Sequence, residues 1–114
     1  MGMLRQVYFY KNYFFDFIKM LDPGAVEKIE WTIALLQSLN HIPEKYFKHI
    51  SGRKGLYELR CEWMGNIYRV FCFFDQGNFV VITSGFQKKD QRTPKKEIEK
   101  ALRIMNDYFH EKNK

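Results

Sequence analysis

Cysteine is nearly lacking: Cys61 and Cys72 are the two in 114 residues, too few for a disulfide-built scaffold. No apolar run approaches the roughly 20 residues that cross a bilayer. No charged segment followed by an apolar one opens the chain, so no signal peptide is expected. Met1-Gly2 is no good myristoylation start, because Gln6 stands where Ser or Thr is wanted. Repeats, linkers and low-complexity stretches are absent. So are a Walker loop, a nucleophile elbow and a zinc-binding set, which leaves no sequence reason to expect a metal or cofactor. The three histidines, His41, His49 and His110, fall at positions expected on the surface. Acidic residues are outnumbered 13 to 19, for a net charge of +6, which points to an anionic partner such as nucleic acid or an acidic protein segment.

What is present suffices for one domain over residues 1–114: 46% hydrophobic residues and eleven Phe. The most informative stretch is residues 55–74. Tyr57, Leu59, Cys61 and Trp63 alternate with Glu58, Arg60 and Glu62, the signature of a half-buried strand. A nearly apolar run, broken by Arg69, follows. Gly65-Asn66 between them predicts a two-residue hairpin loop. That register sets Met64 opposite Ile67, Glu62 opposite Arg69 and Arg60 opposite Phe71. One face then carries Tyr57, Leu59, Cys61, Trp63, Tyr68, Val70, Cys72 and Phe74. The other carries Glu58, Arg60, Glu62, Arg69, Phe71 and Phe73 and is expected to be wet. The cysteines become diagonal neighbours roughly 7–8 Å apart, beyond an unstrained disulfide, and are expected as free buried thiols in a reducing cytoplasm.

Elsewhere, residues 5–10 suit a strand and 13–21 a helix. Asp22-Pro23 starts a second helix with Val26, Ile29, Ile33, Leu36 and Leu39 as its stripe. Residues 41–54 suggest a loop in which Lys45, Lys48, Arg53 and Lys54 accumulate. Residues 75–78 form a tight turn, and 79–86 a strand apolar enough to be central or covered on both faces. Lys88, Lys89, Arg92, Lys95 and Lys96 face one acid, Asp90. Thr93-Pro94 opens a last helix with Ile98, Ala101, Leu102, Met105 and Phe109 on one face, and residues 110–114 are expected to fray. The order is β-α-α-β-β-β-α, an α+β domain with a largely antiparallel four-stranded sheet.

Residues 55–102, with ELR at 58–60, YR at 68–69 and GFQKK followed by TPKKEIEKA, resemble the RelE/HigB toxin superfamily, and within it the phage-derived Gp49-like, HigB-type branch. The resemblance implies a RelE-like fold and a cytoplasmic toxin of a type II toxin–antitoxin pair. It implies metal-independent mRNA cleavage, typically on the translating ribosome, and a helix-turn-helix, HigA-like antitoxin as partner. The family's basic sheet face falls on Arg60 and Arg69, and its basic segment after the last strand on Lys88 and Lys89. The chain departs from better-understood relatives in having neither His nor Tyr between Phe79 and Asp107.

RNA cleavage without metal needs a base for the 2′-OH, cations for the developing phosphorane and an acid for the leaving 5′-oxygen. Arg60 and Arg69 suit the cationic role, with Arg69, the one charge in an apolar strand, the sharper candidate. Glu58, the carboxylate not opposite an arginine in this register, is the candidate base, and Lys88 or Lys89 the candidate acid. Arg53, Lys54, Arg92 and Lys95 are candidate RNA contacts, and Phe71 and Phe73, with Phe86, candidate stacking residues. The plainer alternatives are a salt-bridge ladder for the arginines and core positions for the phenylalanines. The competing function is a non-catalytic toxin of RelE/ParE fold that binds a protein target such as gyrase.

Overall fold

In chain order the elements are β1 (Gln6–Phe9), α1 (Tyr13–Ile18), α2 (Pro23–Ser38), β2 (Phe47–His49), β3 (Tyr57–Trp63), β4 (Asn66–Phe74), β5 (Phe79–Lys88) and α3 (Lys95–Lys112). The computed structural model describes residues 3–89 and 92–114. Met1, Gly2, Asp90 and Gln91 lie outside the described residues. With them go the myristoylation reading and the one acid set against the basic segment 88–96.

The strands form a five-stranded sheet in the order β1-β5-β4-β3-β2. β1 runs parallel to β5, and every other neighbour is antiparallel. The expectation of four strands is corrected by β2, three residues inside the supposed basic loop, paired Phe47 to Leu59. Its anchor is aromatic: Phe47 stacks flat on Tyr57, centroids 4.9 Å apart. A three-residue strand carries too little alternation to stand out in sequence.

The hairpin register is also corrected. The observed pairs are Trp63 with Asn66, Glu62 with Ile67, Arg60 with Arg69 and Glu58 with Phe71. The turn residues are therefore Met64 and Gly65, at φ of 50° and 80°, the doubly positive pattern of a type I′ turn that suits the strand twist. Asn66 already belongs to the strand, and its side-chain oxygen accepts from Gln87 Nε2 at 3.1 Å. The shift moves each partner by two residues, so every side chain keeps its face. Cys61 now lies opposite Tyr68 and Cys72 opposite Tyr57, so the cysteines are not neighbours. Both are free and buried, and burial pushes both thiols up.

α1 and α2 cover the apolar face. Phe14, Ala25, Ile29, Ile33 and Leu36 pack on Leu59, Cys61, Tyr68, Val70, Cys72, Val80 and Ile82. The stripe expected for α2 is thus right in Ile29, Ile33 and Leu36, while Val26 and Leu39 are half-buried and Ala25 and Thr32 are the inward residues. Arg5 closes the other end of α2, its guanidinium donating to the carbonyls of Leu36, Leu39 and Asn40 at 2.7–3.0 Å. That supplies donors to carbonyls that a helix C-terminus leaves unpaired.

The second face is not wet along its length. α3 lies on it: Ala101 packs with Ile50, Leu56, Phe71 and Phe86, and Ile104 with Tyr10, Phe73 and Val81. Among the described residues its polar corner is formed by Glu58, Arg60, Glu62 and Arg69. A bulge in β5 sets Thr83 and Ser84 opposite Phe71, with Thr83 Oγ1 donating to the Phe71 carbonyl at 3.0 Å. It lets Val81 and Phe86, five residues apart, face the same helix.

The C-terminus does not fray at His110, because α3 is clasped through Lys112. Asp75, buried in the β4–β5 turn, accepts from Tyr108 Oη at 2.6 Å and from Lys112 Nζ at 2.8 Å. Glu111 accepts from Tyr10 and lies near Lys11. Lys112 and then Tyr108 hold the Asp75 carboxyl below its ordinary range; burial and Asp75 push the Tyr108 phenol up to about 12, so it stays a donor. A depressed folded pKa stabilises above the unfolded value and is lost as pH falls through the folded one. Asp75→Asn should therefore cost about 1–3 kcal/mol near pH 7, measured by urea unfolding. The gap to wild type should close as pH falls below the ordinary carboxylate value of about 3.9 and on through the lower folded one; a gap that persists in acid would mean the clasp does not depend on the charge.

Candidate active site

The corrected register creates an arrangement that the expected one lacked. Arg60 on β3 and Arg69 on β4 face each other directly, a like-charge pair that opposes sheet pairing. Glu58 offsets part of it. Its Oε2 lies 3.2 Å from Arg69 Nε and 3.4 Å from Arg60 Nε, while Oε1 accepts from Thr93 Oγ1 at 3.3 Å. The two Nε groups sit at ion-pair distance but not in line for a hydrogen bond, and both are buried. Further contacts hold the planes: Arg69 Nη1 donates to the Tyr68 carbonyl at 3.1 Å and Arg60 Nη1 reaches the Glu44 carbonyl at 3.4 Å. One carboxylate between two guanidiniums leaves positive charge uncompensated.

This overturns the argument for Glu58 as base. The expected register leaves this carboxylate without an arginine partner; in the structure it meets both arginines and Thr93. Its oxygens are committed to holding the pair. The order of access also changes. The Arg69 side chain is 6% exposed and that of Arg60 27%, so Arg60 is the outer guanidinium and Arg69 the inner one.

Both line a cleft of about 420 Å³ with Lys28, Lys45, Tyr46 and Glu62. Four cations and a phenol thus surround one acid. The Tyr46 carbonyl accepts from the Arg60 amide at 2.8 Å, which extends the β2–β3 ladder by one pair and fixes Tyr46 beside Arg60. Lys45 belonged to the basic run 41–54. Lys28 and Tyr46 carried no sequence signal: one lies on a helix face, the other in the turn leading into a strand too short to be recognised.

Lys88 ends β5 opposite Ile67, next to this corner. Burial first, then Arg69 and Arg60, push its ammonium group down, with Glu58 opposing. Lys89 is exposed beyond the strand. Arg53 is half-buried in the loop after β2, and Lys54, Arg92 and Lys95 are exposed; none of the four lines the cleft. Phe71 and Phe73, 0% and 1% exposed, cannot stack on a base. They are core, and Phe86 stacks on Phe71 at 5.6 Å. His41, His49 and His110 are exposed. Among the described residues no helix is long and apolar enough to cross a membrane.

Curated proteins offer no significant match. The family model described as "Phage derived protein Gp49-like (DUF891)" matches residues 16–106, from within α1 to within α3, and so spans the cleft, the arginine pair and both helical layers. The chain therefore belongs to the phage-derived Gp49-like family, of the RelE/HigB toxin type.

Proposed function

We propose that the protein is the toxin of a toxin–antitoxin pair and cleaves mRNA, on the translating ribosome, at the Arg60–Arg69 cleft. The carrying observation is the like-charge pair itself. Two guanidiniums held face to face by one carboxylate form a preorganised receptor for a second anion. In the reaction the 2′-oxygen attacks the adjacent phosphorus, the bond to the 5′-oxygen breaks, and a 2′,3′-cyclic phosphate and a 5′-hydroxyl result. Arg60 and Arg69 bind the charge that develops on the phosphorane oxygens. Lys88, with its lowered proton affinity and its place beside Arg69, suits proton delivery to the 5′-oxygen. The 2′-hydroxyl gives up its proton to water at the open cleft, which Tyr46 lines with its phenol. Glu58 positions the arginines.

The partner that restrains such an activity is a helix-turn-helix antitoxin, whose docking segment the net charge of +6 favours as acidic. Expression in a bacterial host should arrest growth and yield mRNA fragments with 5′-hydroxyl and cyclic phosphate ends only while translation runs. Co-expression of a small helix-turn-helix protein from the adjacent gene should restore growth. Arrest with intact mRNA would discard the nuclease reading in favour of a protein target.

A further inference from the structure

Trp31 is 45% exposed on the outer face of α2, where an indole adds nothing to the core. Its ring meets that of Tyr46 edge to face, centroids 5.6 Å apart and planes at 79°. Lys28 Nζ lies 4.0 Å from the Trp31 ring centre and Lys45 Nζ 5.0 Å from that of Tyr46. Lys28, Lys45 and Tyr46 are walls of the cleft that contains Arg60 and Arg69. The two aromatic rings and their two cations therefore continue the arginine site outward along the α2–β2 edge.

We propose that Trp31 and Tyr46 form a stacking platform for a base of single-stranded RNA flanking the phosphate at Arg60 and Arg69. Lys28 and Lys45 move from the rings to the adjoining phosphates as the base arrives. The identification rests on the nuclease reading above for the phosphate, and on chemistry of its own for the base. Cations alone would suit any acidic partner. Cations seated over one exposed and one half-buried aromatic ring suit an anion that also brings a flat π face, which a nucleotide does and an acidic peptide does not. A duplex buries its base faces, so the strand is single. The exchange runs downhill: an exposed cation–π contact is weaker than base stacking, and the displaced ammonium gains a phosphate. The plain alternative, an i,i+3 pair of Lys28 and Trp31 on a helix surface, leaves Tyr46, Lys45 and the continuity with the cleft unused.

The test is binding of a 2′-O-methyl RNA pentamer, which lacks the attacking hydroxyl, read by fluorescence anisotropy. Trp31→Ala should bind roughly 10–100-fold more weakly, a stacking contact's worth, and Trp31→Phe should recover most of the affinity. A base-free ribose-phosphate chain of the same length should not distinguish Trp31→Ala from wild type. Thermal unfolding by circular dichroism should be unchanged in both variants, because Trp31 is a surface residue. Equal binding of the pentamer by Trp31→Ala and wild type, no binding by wild type, or the same loss on the base-free chain would each overturn the platform. Cleavage that depends on Arg60 but not on Trp31 would remove the platform and leave the nuclease standing. Trp31-dependent binding without cleavage would do the reverse.

Discussion

Arg60→Ala should lower RNA cleavage by about 10²–10³-fold, or roughly 3–4 kcal/mol of transition-state stabilisation, while the protein stays folded. The fold should survive because of the stoichiometry at the site. Removing one arginine leaves Glu58 paired with the other, 3.2 Å from Arg69 Nε, and removes the like-charge opposition across β3 and β4. Arg60 is the outer guanidinium, with a side chain 27% exposed, so its truncation leaves no large buried void. Arg60→Lys should remain strongly impaired, since a point charge does not reproduce the planar fork. The measurement is single-turnover cleavage of a short RNA beside urea unfolding of each variant. Full activity in a folded Arg60→Ala would remove the cleft as the catalytic centre. An unfolded Arg60→Ala would make the guanidinium structural.

The two faces of the β3–β4 hairpin were legible in the sequence, because strand alternation survives a shift of partner by two residues. The partners themselves were not. Met64-Gly65 and Gly65-Asn66 both offer a glycine to a two-residue turn, and only the backbone at Met64 separates them. That single ambiguity hid the Arg60–Arg69 pair and suggested a Glu62–Arg69 ladder instead. The second face was misjudged for a different reason. Its charges, Glu58, Arg60, Glu62 and Arg69, cluster at one end, while Phe71, Phe73, Val81 and Phe86 extend under α3. The apolar stripe of α3 was evident in Ile98, Ala101, Leu102, Met105 and Phe109, but a stripe does not say which surface it covers. The cleft was least legible of all. Lys28 and Tyr46 come from α2 and the approach to β2; the docking of α2 on β3 brings the first to Arg60, and the pairing of β2 with β3 the second.

Glu58→Gln should destabilise the fold by about 3 kcal/mol, the lower end for breaking a buried ion pair, because Arg60 keeps some contact with water. The Glu58 side chain is 9% exposed and that of Arg69 6%. A neutral amide would leave two guanidiniums face to face with only the exposed Glu62 as counter-charge at the cleft, the inner one nearly removed from solvent. Desolvation already pushes Arg69 down, and Glu58 is the first group that opposes this. A second substitution tests the cause: Glu58→Gln with Arg69→Met deletes both buried charges and should return most of the lost stability, giving a coupling energy well above the roughly 0.5 kcal/mol expected of independent sites. The same Glu58→Gln variant separates two roles for the carboxylate. A positioning group would lose stability and activity together, and activity measured on the folded fraction would fall modestly. A general base would leave stability near wild type and lower the chemical step by about 10²–10⁴-fold. With Glu58 already shared between Arg60, Arg69 and Thr93, the first outcome is expected, and the second would return the carboxylate to the chemistry.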